Sequence, residues 1–436
     1  MKRKEFLKKS VFFGAGSMFL PTLSGYSTIS NSASDQINIG AIGINGMGWG
    51  NVQKVLEVPG VKLVAVCDVD ENVIKRRLNS KEGKSIKNKI KIYSDYRKML
   101  DQKDIDVVYI GTPDHWHALM MINAAAAGKH IYVEKPIGNS IGECEAMVTA
   151  QKRYGNIIQV GQWQRSSTHF QDAMSFVHSG KLGPIRTVKV FCYQGWMRPQ
   201  RKVANTPVPK GIDYDSWLGP APKLPFNASR FHFHFRWFWD YAGGLMTDWG
   251  VHLLDYALIG MKASLPKTIV GLGGQFAYPD LSQETPDTLT TLYEFDKFNL
   301  VWDSAMGIDN GSYGRDHGIA FVGNYGTLVV DRSGWEIIEE KRSENKVLLP
   351  LQKKSNNGHR DHQKNFIQAI RENKPEILTC KVQDAAHVAK VAQMGNISFK
   401  TNQKLSWDAD NNKFSDSRVN DKYLMKDYHN GYKLPT

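Results

Sequence analysis

Three glycines, Gly43, Gly46 and Gly48, stand directly after the apolar run of residues 37–42 and open a stretch with helical spacing. A backbone that must turn tightly and approach a pyrophosphate at a helix N-terminus needs glycine at such positions. Asn45 and Met47 lie between them and share the turn. The spacing is G-x-x-G-x-G, a variant of the standard G-x-G-x-x-G, so it does not decide the matter by itself. Asp68 follows a second apolar run, residues 61–66, where a carboxylate accepts hydrogen bonds from adenosine ribose hydroxyls. Together these features predict a dinucleotide site. NAD is favoured because Asp68 would repel a 2′-phosphate, while Arg76 and Arg77 keep NADP possible.

Asp248 and His252 are four residues apart, so a helix stacks them on one face. An imidazole, with an unperturbed pKa near ~6.5, takes a hydroxyl proton and returns it near neutral pH. On these two residues alone an acid/base pair, half of a metal site and a structural pair all stay open. Residues 231–241 are unusually aromatic and carry His232, His234 and Arg236 among the rings. Aromatic faces beside polar donors suit a sugar, whose C–H faces stack while its hydroxyls hydrogen-bond. Arg236 and Trp239 are the contacts expected on that reading. Ordinary packing of an interdomain wall is the other.

The elements that must position these groups divide the chain in two. Short buried runs at 37–42, 61–66, 106–110 and 130–133 alternate with helical stretches at 49–58 and 118–128. That alternation predicts a parallel, doubly wound α/β sheet over residues 36–158. From 159 to 436 the pattern changes to strand-like runs at 187–193, 267–274, 288–295, 299–304, 318–322 and 326–330. Two helices are expected late, at 363–371 and 384–399. This half reads as an α+β domain with a large, mostly antiparallel or mixed open sheet.

The segment at 111–118, G-T-P-D-H-W-H-A, and the segment at 127–136, A-G-K-H-I-Y-V-E-K-P, resemble the T-P-x-x-x-H and E-K-P signatures of the Gfo/Idh/MocA oxidoreductases. Residues 243–255 resemble that family's G-G-x-x-x-D-x-G-x-H-x-x-D block. The resemblance implies a Rossmann domain followed by a substrate domain, with Thr112, Pro113, His117 and Glu134 bordering the cofactor. It makes Lys135 the lysine that reaches between nicotinamide and substrate, where its charge can hold the reacting oxygen. It makes His252 the acid/base and Asp248 the group that orients or assists it. Asp255 is left structural. Gln162, Trp163 and Arg165 resemble the segment lining the substrate side. The family needs no metal, so His317, His359 and His362 are read as solvated or packed. A sugar, glycoside or cyclic polyol is the expected substrate, and a dimer or tetramer the expected assembly. NAD-dependent glycosidases are the alternative, but such relatives often depart from the E-K-P lysine; a non-catalytic sugar- or nucleotide-binding relative is a third reading, which the joint retention of Lys135, Asp248 and His252 argues against.

The formal net charge of +13 invites a nucleic-acid or anionic-membrane reading. Its lysines and arginines are scattered, however, and the densest run, residues 81–91, reads as a solvated surface stretch. No nucleic-acid partner is expected. Four cysteines lie far apart without C-x-x-C spacing, which indicates neither zinc nor a disulfide framework. Lys2, Arg3 and Lys4 precede an apolar stretch at 11–23, the pattern of an export signal over residues 1–35. It resembles a twin-arginine signal with Lys4 in place of the second arginine. A periplasmic or otherwise exported protein without stable membrane insertion is expected, with its dinucleotide tightly retained.

Overall fold

The computed structural model describes residues 36–197, 200–278 and 280–435; the expected signal at 1–35 lies outside these. The first half forms a six-stranded parallel sheet in the order β3-β2-β1-β4-β5-β6. Its strands are β1 Ile37–Ile42, β2 Val61–Cys67, β3 Lys91–Tyr93, β4 Val107–Ile110, β5 His130–Val133 and β6 Ile158–Val160. The order reverses between β1 and β4, which opens a crevice at their C-terminal ends, the place where such sheets bind ligands. β6 runs to Val160, so the expected boundary after residue 158 falls inside this sheet.

A ten-stranded sheet follows, in the order β14-β13-β12-β11-β7-β10-β9-β8-β15-β16. It comprises β7 Ile185–Gln194, β8 Thr268–Gly274, β9 Thr288–Glu294, β10 Asn299–Met306, β11 His317–Gly323 and β12 Gly326–Val330. To these are added β13 Gly334–Glu339, β14 Leu349–Lys353, β15 Leu405–Asp408 and β16 Lys413–Phe414. β7 and β10 pair in parallel, and the other pairs are antiparallel. The last four strands were not expected from the sequence. β14 is exposed along most of its length and β16 has two residues, so neither presents an apolar period.

One helix changes the division of the chain. Gly358–Glu372 begins five residues before the expected start and packs on the parallel sheet, although it comes far beyond residue 159. Tyr109 of β4 and Tyr132 of β5 stack at 5.0 Å. Phe366 closes over both, and the Tyr109 hydroxyl donates to Gln363 Oε1 at 2.9 Å. Two adjacent tyrosines on a sheet face need an apolar cover with a polar acceptor, and this helix supplies it. The first sheet is therefore completed by a late segment of the chain. No helix among the described residues is long and apolar enough to cross a membrane.

Candidate functional site

The glycine turn is shaped by contact between backbones. Gly43 has φ +74°, and a Cβ there would lie 2.9 Å from the Gly111 carbonyl group and from Thr112 N. A Cβ on Gly48 would overlap Gly43 O, and one on Gly111 would stand 2.5 Å from Gly48 Cα. Gly46 differs: its φ is +46° and nothing lies within 4 Å of a Cβ position. The turn thus packs against the Thr112 loop on one side and opens a bare backbone cradle on the other. Asn45 caps the helix Gly46–Val55 by accepting from Gly46 N at 3.0 Å. Thr112 Oγ1 is buried with no hydrogen-bond partner. A bare turn at a helix N-terminus beside an orphaned hydroxyl fits a dinucleotide pyrophosphate.

Asp68, just past β2, accepts from Ile44 N at 2.9 Å and Asp70 N at 3.1 Å. Burial outweighs these donors and raises its pKa to about 6. Arg76 donates to Asn45 Oδ1 at 3.0 Å, and Arg77 to Ile44 O at 3.2 Å. Both guanidinium groups are thus tied to the turn itself.

A cavity of about 660 Å³ runs from this turn to the substrate side, lined by Gly46, Asp68, Lys135, Asp248, His252 and Arg332 among others. Lys135 leaves the end of β5 and donates to Asp248 Oδ1 at 2.7 Å and to Asp248 O at 2.8 Å. Arg236 Nε lies 3.2 Å from the same carboxylate oxygen. Burial alone would raise the Asp248 carboxyl, but Lys135 and Arg236 hold it well below the usual carboxylate range. Asp248 is therefore an ionised anchor for Lys135, poorly suited to accept a proton itself. The expected single helix is interrupted at one residue, Trp249, which keeps right-handed helical backbone, and Asp248 and His252 line the same cavity. One helix ends at Asp248, Trp249 separates it from the next, and His252 lies in the first turn of Gly250–Met261.

His252 is 5% exposed, and its Nδ1 has no partner. Burial, then the charges of Lys135 and Arg332, hold its pKa well below the ordinary histidine value. The imidazole is therefore neutral with Nδ1 unpartnered, and burial and the two cations oppose its protonation. Arg332 carried no sequence signal, because it comes from the turn after β12. Its guanidinium lies over the rings of Trp163 at 4.9 Å and Trp249 at 4.2 Å. It also donates to Gln164 Oε1 at 3.1 and 3.0 Å, and burial lowers its pKa to about 10. Asp114 lines the same cavity, and burial pushes its carboxyl up to about 8.

The remaining expected residues separate into those at the cavity and those behind it. Asn45, Met47, Thr112, Pro113, Glu134, Trp163 and Arg236 line it. Glu134 accepts from Asn51 Nδ2 at 2.8 Å, and Asn51 Oδ1 lies 2.7 Å from His359 Nε2. That chain pins the turn carrying Lys135. His117 lies behind the cavity, with its ring nitrogens 2.7 Å from Pro136 O and 2.9 Å from Thr112 O. Two carbonyls favour the charged ring, but burial outweighs them and lowers its pKa to about 4. His117 thus links the two signature loops.

Three residues expected at the substrate are not in the cavity wall. Arg165 turns away to Asp255 at 2.6 and 2.8 Å and to Asp384 at 3.1 Å. Gln162 is fully buried beside Cys380. Trp239 lines a different cavity. The reason is local: residues 232–237 form a 3₁₀ helix and Phe238 is extended, so neighbouring rings diverge. Among the described residues no group of three or more His, Cys, Asp or Glu could hold a metal ion. All four cysteines are buried and free.

Residues 37–162 match the oxidoreductase family with an NAD-binding Rossmann fold, and residues 157–269 match that family's C-terminal alpha/beta domain. The chain belongs to the Gfo/Idh/MocA oxidoreductase family. The parallel sheet is accordingly an NAD-binding Rossmann domain. Among Gfo/Idh/MocA relatives, the uncharacterized oxidoreductase YrbE of Bacillus subtilis is 26% identical over 301 residues, 68% of this chain and 74% of its own. A glycosyl hydrolase family 109 protein of Shewanella is 35% identical over 121 residues, 27% of this chain. The match spans about a quarter of that relative's length, 26%. A levoglucosan dehydrogenase solved with NADH and levoglucosan has a TM-score of 0.62 at 17% identity, covering 85% of this chain and 99% of that one. That likeness concerns the fold.

Proposed function

We propose that this chain is an NAD-dependent dehydrogenase acting on a hydroxyl or keto group of a sugar, glycoside or cyclic polyol. The observation that carries the reading is one cavity joining the glycine cradle to Lys135 and His252, with Asp248 holding the lysine in place. When bound, NAD supplies a hydride acceptor. Lys135 holds the substrate oxygen and favours its alkoxide-like state. His252, kept neutral by burial, removes the hydroxyl proton. Trp163, Trp249 and Phe233 form apolar walls for a ring, beside Arg236 and Arg332. NAD is favoured over NADP because Asp68 occupies the ribose end and both nearby arginines are bound to the turn.

A second reading is an NAD-dependent glycosidase that oxidises a sugar transiently, releases the aglycone and reduces again. The local match to glycosyl hydrolase family 109 supports it; the intact E-K-P lysine favours the dehydrogenase. We further propose export, from the basic and apolar pattern of residues 2–23, with a tightly retained cofactor regenerated by a second substrate. The test is a sealed assay of the purified protein with sugars and aryl glycosides, after mass spectrometry of its released dinucleotide. Conversion of up to one equivalent of sugar per chain to a keto-sugar, with matching reduction of the bound NAD, is expected. Aglycone release without net redox change would establish the glycosidase instead.

A homo-oligomer is also proposed. Val270, Leu272, Leu292 and Val301 lie on one outward face of β8, β9 and β10; Val270, Leu292 and Val301 are in register, and Leu272 is 63% exposed. A contiguous apolar strip of this kind marks an interaction surface, and a second copy of the chain is its expected cover. Light scattering is expected to give a dimer or tetramer; a monomer at micromolar concentration rejects the assignment.

A further inference from the structure

A second cavity, of about 580 Å³, shares no lining residue with the first. It is enclosed by residues 139–143 after the E-K-P turn, by Trp239 and Asp240, by the helix Val382–Thr401 and by residues 421–429. Four residues of its wall each carry a buried polar atom without a partner. His115, Asn139, Gln393 and Asn396 are 4%, 3%, 7% and 2% exposed. His115 Nδ1, Asn139 Nδ2, Gln393 Nε2 and Asn396 Oδ1 nevertheless make no hydrogen bond. Buried polar groups in folded proteins are nearly always paired, so four around one cavity point to a missing partner.

The chemistry of that partner follows from which atoms are unanswered. His115 Nε2 lies 3.2 Å from Trp217 O and is the donor there, which leaves Nδ1 as an acceptor. Asn396 donates through Nδ2 to Gly243 O at 2.9 Å, which leaves Oδ1 as an acceptor. Asn139 and Gln393 offer amide donors. Two donors and two acceptors together suit hydroxyl groups, each of which both donates and accepts.

Two lysines add a charge requirement. Lys400 Nζ sits 3.9 Å over the Trp239 ring, and Lys426 donates to the carbonyls of Trp239 and Asp240. Among the described residues neither ammonium group forms an ion pair. Burial and the charge of Lys426 lower the Lys400 pKa to about 7, a cost that an anion beside it removes. Asp240 and Glu284 act on both lysines through space, and Glu143 on Lys426, but none of the three forms an ion pair with either. Glu143 already accepts from the Tyr428 hydroxyl at 2.6 Å and from Asn139 N at 2.7 Å, while Asp421 and Asp427 are exposed at the rim.

We propose that this cavity is a second binding site, for a small polyhydroxylated carboxylate such as a sugar acid. The carboxylate lies against Lys400 and Lys426, and the hydroxyls pair with Asn139, Gln393, Asn396 and His115. The site stands independently of the reaction assigned to the first cavity.

The test is calorimetric titration of the full-length protein, carrying its own dinucleotide, with D-gluconate, D-glucose and inorganic phosphate. Gluconate is expected to bind saturably at one site per chain, at least tenfold more tightly than glucose, with no saturable binding of phosphate. Lys400→Gln is expected to weaken gluconate at least tenfold while the dinucleotide content stays unchanged. Gln393→Leu provides the same reading if Lys400→Gln does not fold. Absence of saturable gluconate binding, equal affinity for glucose, or preference for phosphate each overturns the proposal. So does binding that survives both variants but is lost in Lys135→Ala, which would place the ligand in the first cavity.

Discussion

Single-turnover reduction of the bound dinucleotide is expected to fall by about 10²–10⁴ when His252 is replaced by alanine, and high pH restores part of it. Hydroxide can take over proton removal once the imidazole is gone. Lys135→Ala is expected to behave differently. It removes charge stabilisation at the reacting oxygen, a loss of about 10²–10³ that no rise in pH repairs. Asp248 keeps its contact with Arg236 in that variant, so the fold should survive. The wild-type profile carries its own sign. A base whose pKa is lowered stays neutral further into acid, so the acidic limb of kcat/KM should lie below ~6.5, the ordinary histidine value. Wild-type rates in His252→Ala at pH 7 would remove it as the base. Asp114, whose raised pKa leaves it able to exchange a proton near neutrality, would be examined next.

Gly48→Ala is expected to destabilise the protein by about 1–3 kcal/mol, the range for overpacking, and to abolish dinucleotide retention. Its Cβ would enter the space of Gly43 O, so the turn would have to open away from Gly111 and Thr112. Two residues along the same helix the opposite sign is expected. Gly50 has ordinary helical backbone, and the nearest atom to its Cβ position is Met47 Sδ at 3.7 Å. Gly50→Ala should therefore stabilise by roughly 0.5–1 kcal/mol, the usual helix-interior gain, and leave the cofactor in place. Thermal unfolding and cofactor absorbance on the two variants check both statements. Dinucleotide retained at wild-type level in Gly48→Ala would show that the close approach of these backbones does not shape the site.

Much of the architecture was legible because it rests on local chemistry. Buried parallel strands need continuous apolar runs, and β1, β2, β4 and β5 announce themselves that way. The signature loops are contiguous, so Thr112, Pro113, Glu134 and Lys135 could be named together. Elements without such a period escaped notice. β14 is largely exposed, and β16 is too short to carry a pattern. The helix Thr168–His178 buries Phe170, Ala173, Met174 and Val177 at helical spacing, so its signal was present in the sequence.

By itself the sequence determined the family, the glycine turn, the apolar strands and the chemical types at positions 135, 248 and 252. Those follow from spacing along the chain, which sterics and backbone hydrogen bonding translate directly into local structure. Only the tertiary structure decided what the side chains face. It turned Arg165 inward to Asp255 and sent Trp239 to a second cavity. It brought Arg332 beside His252 from a turn eighty residues later, and it made Asp248 an anchor for Lys135. These outcomes depend on burial and on charges meeting across distant segments, where desolvation and Coulomb interactions act through space and take no account of sequence separation.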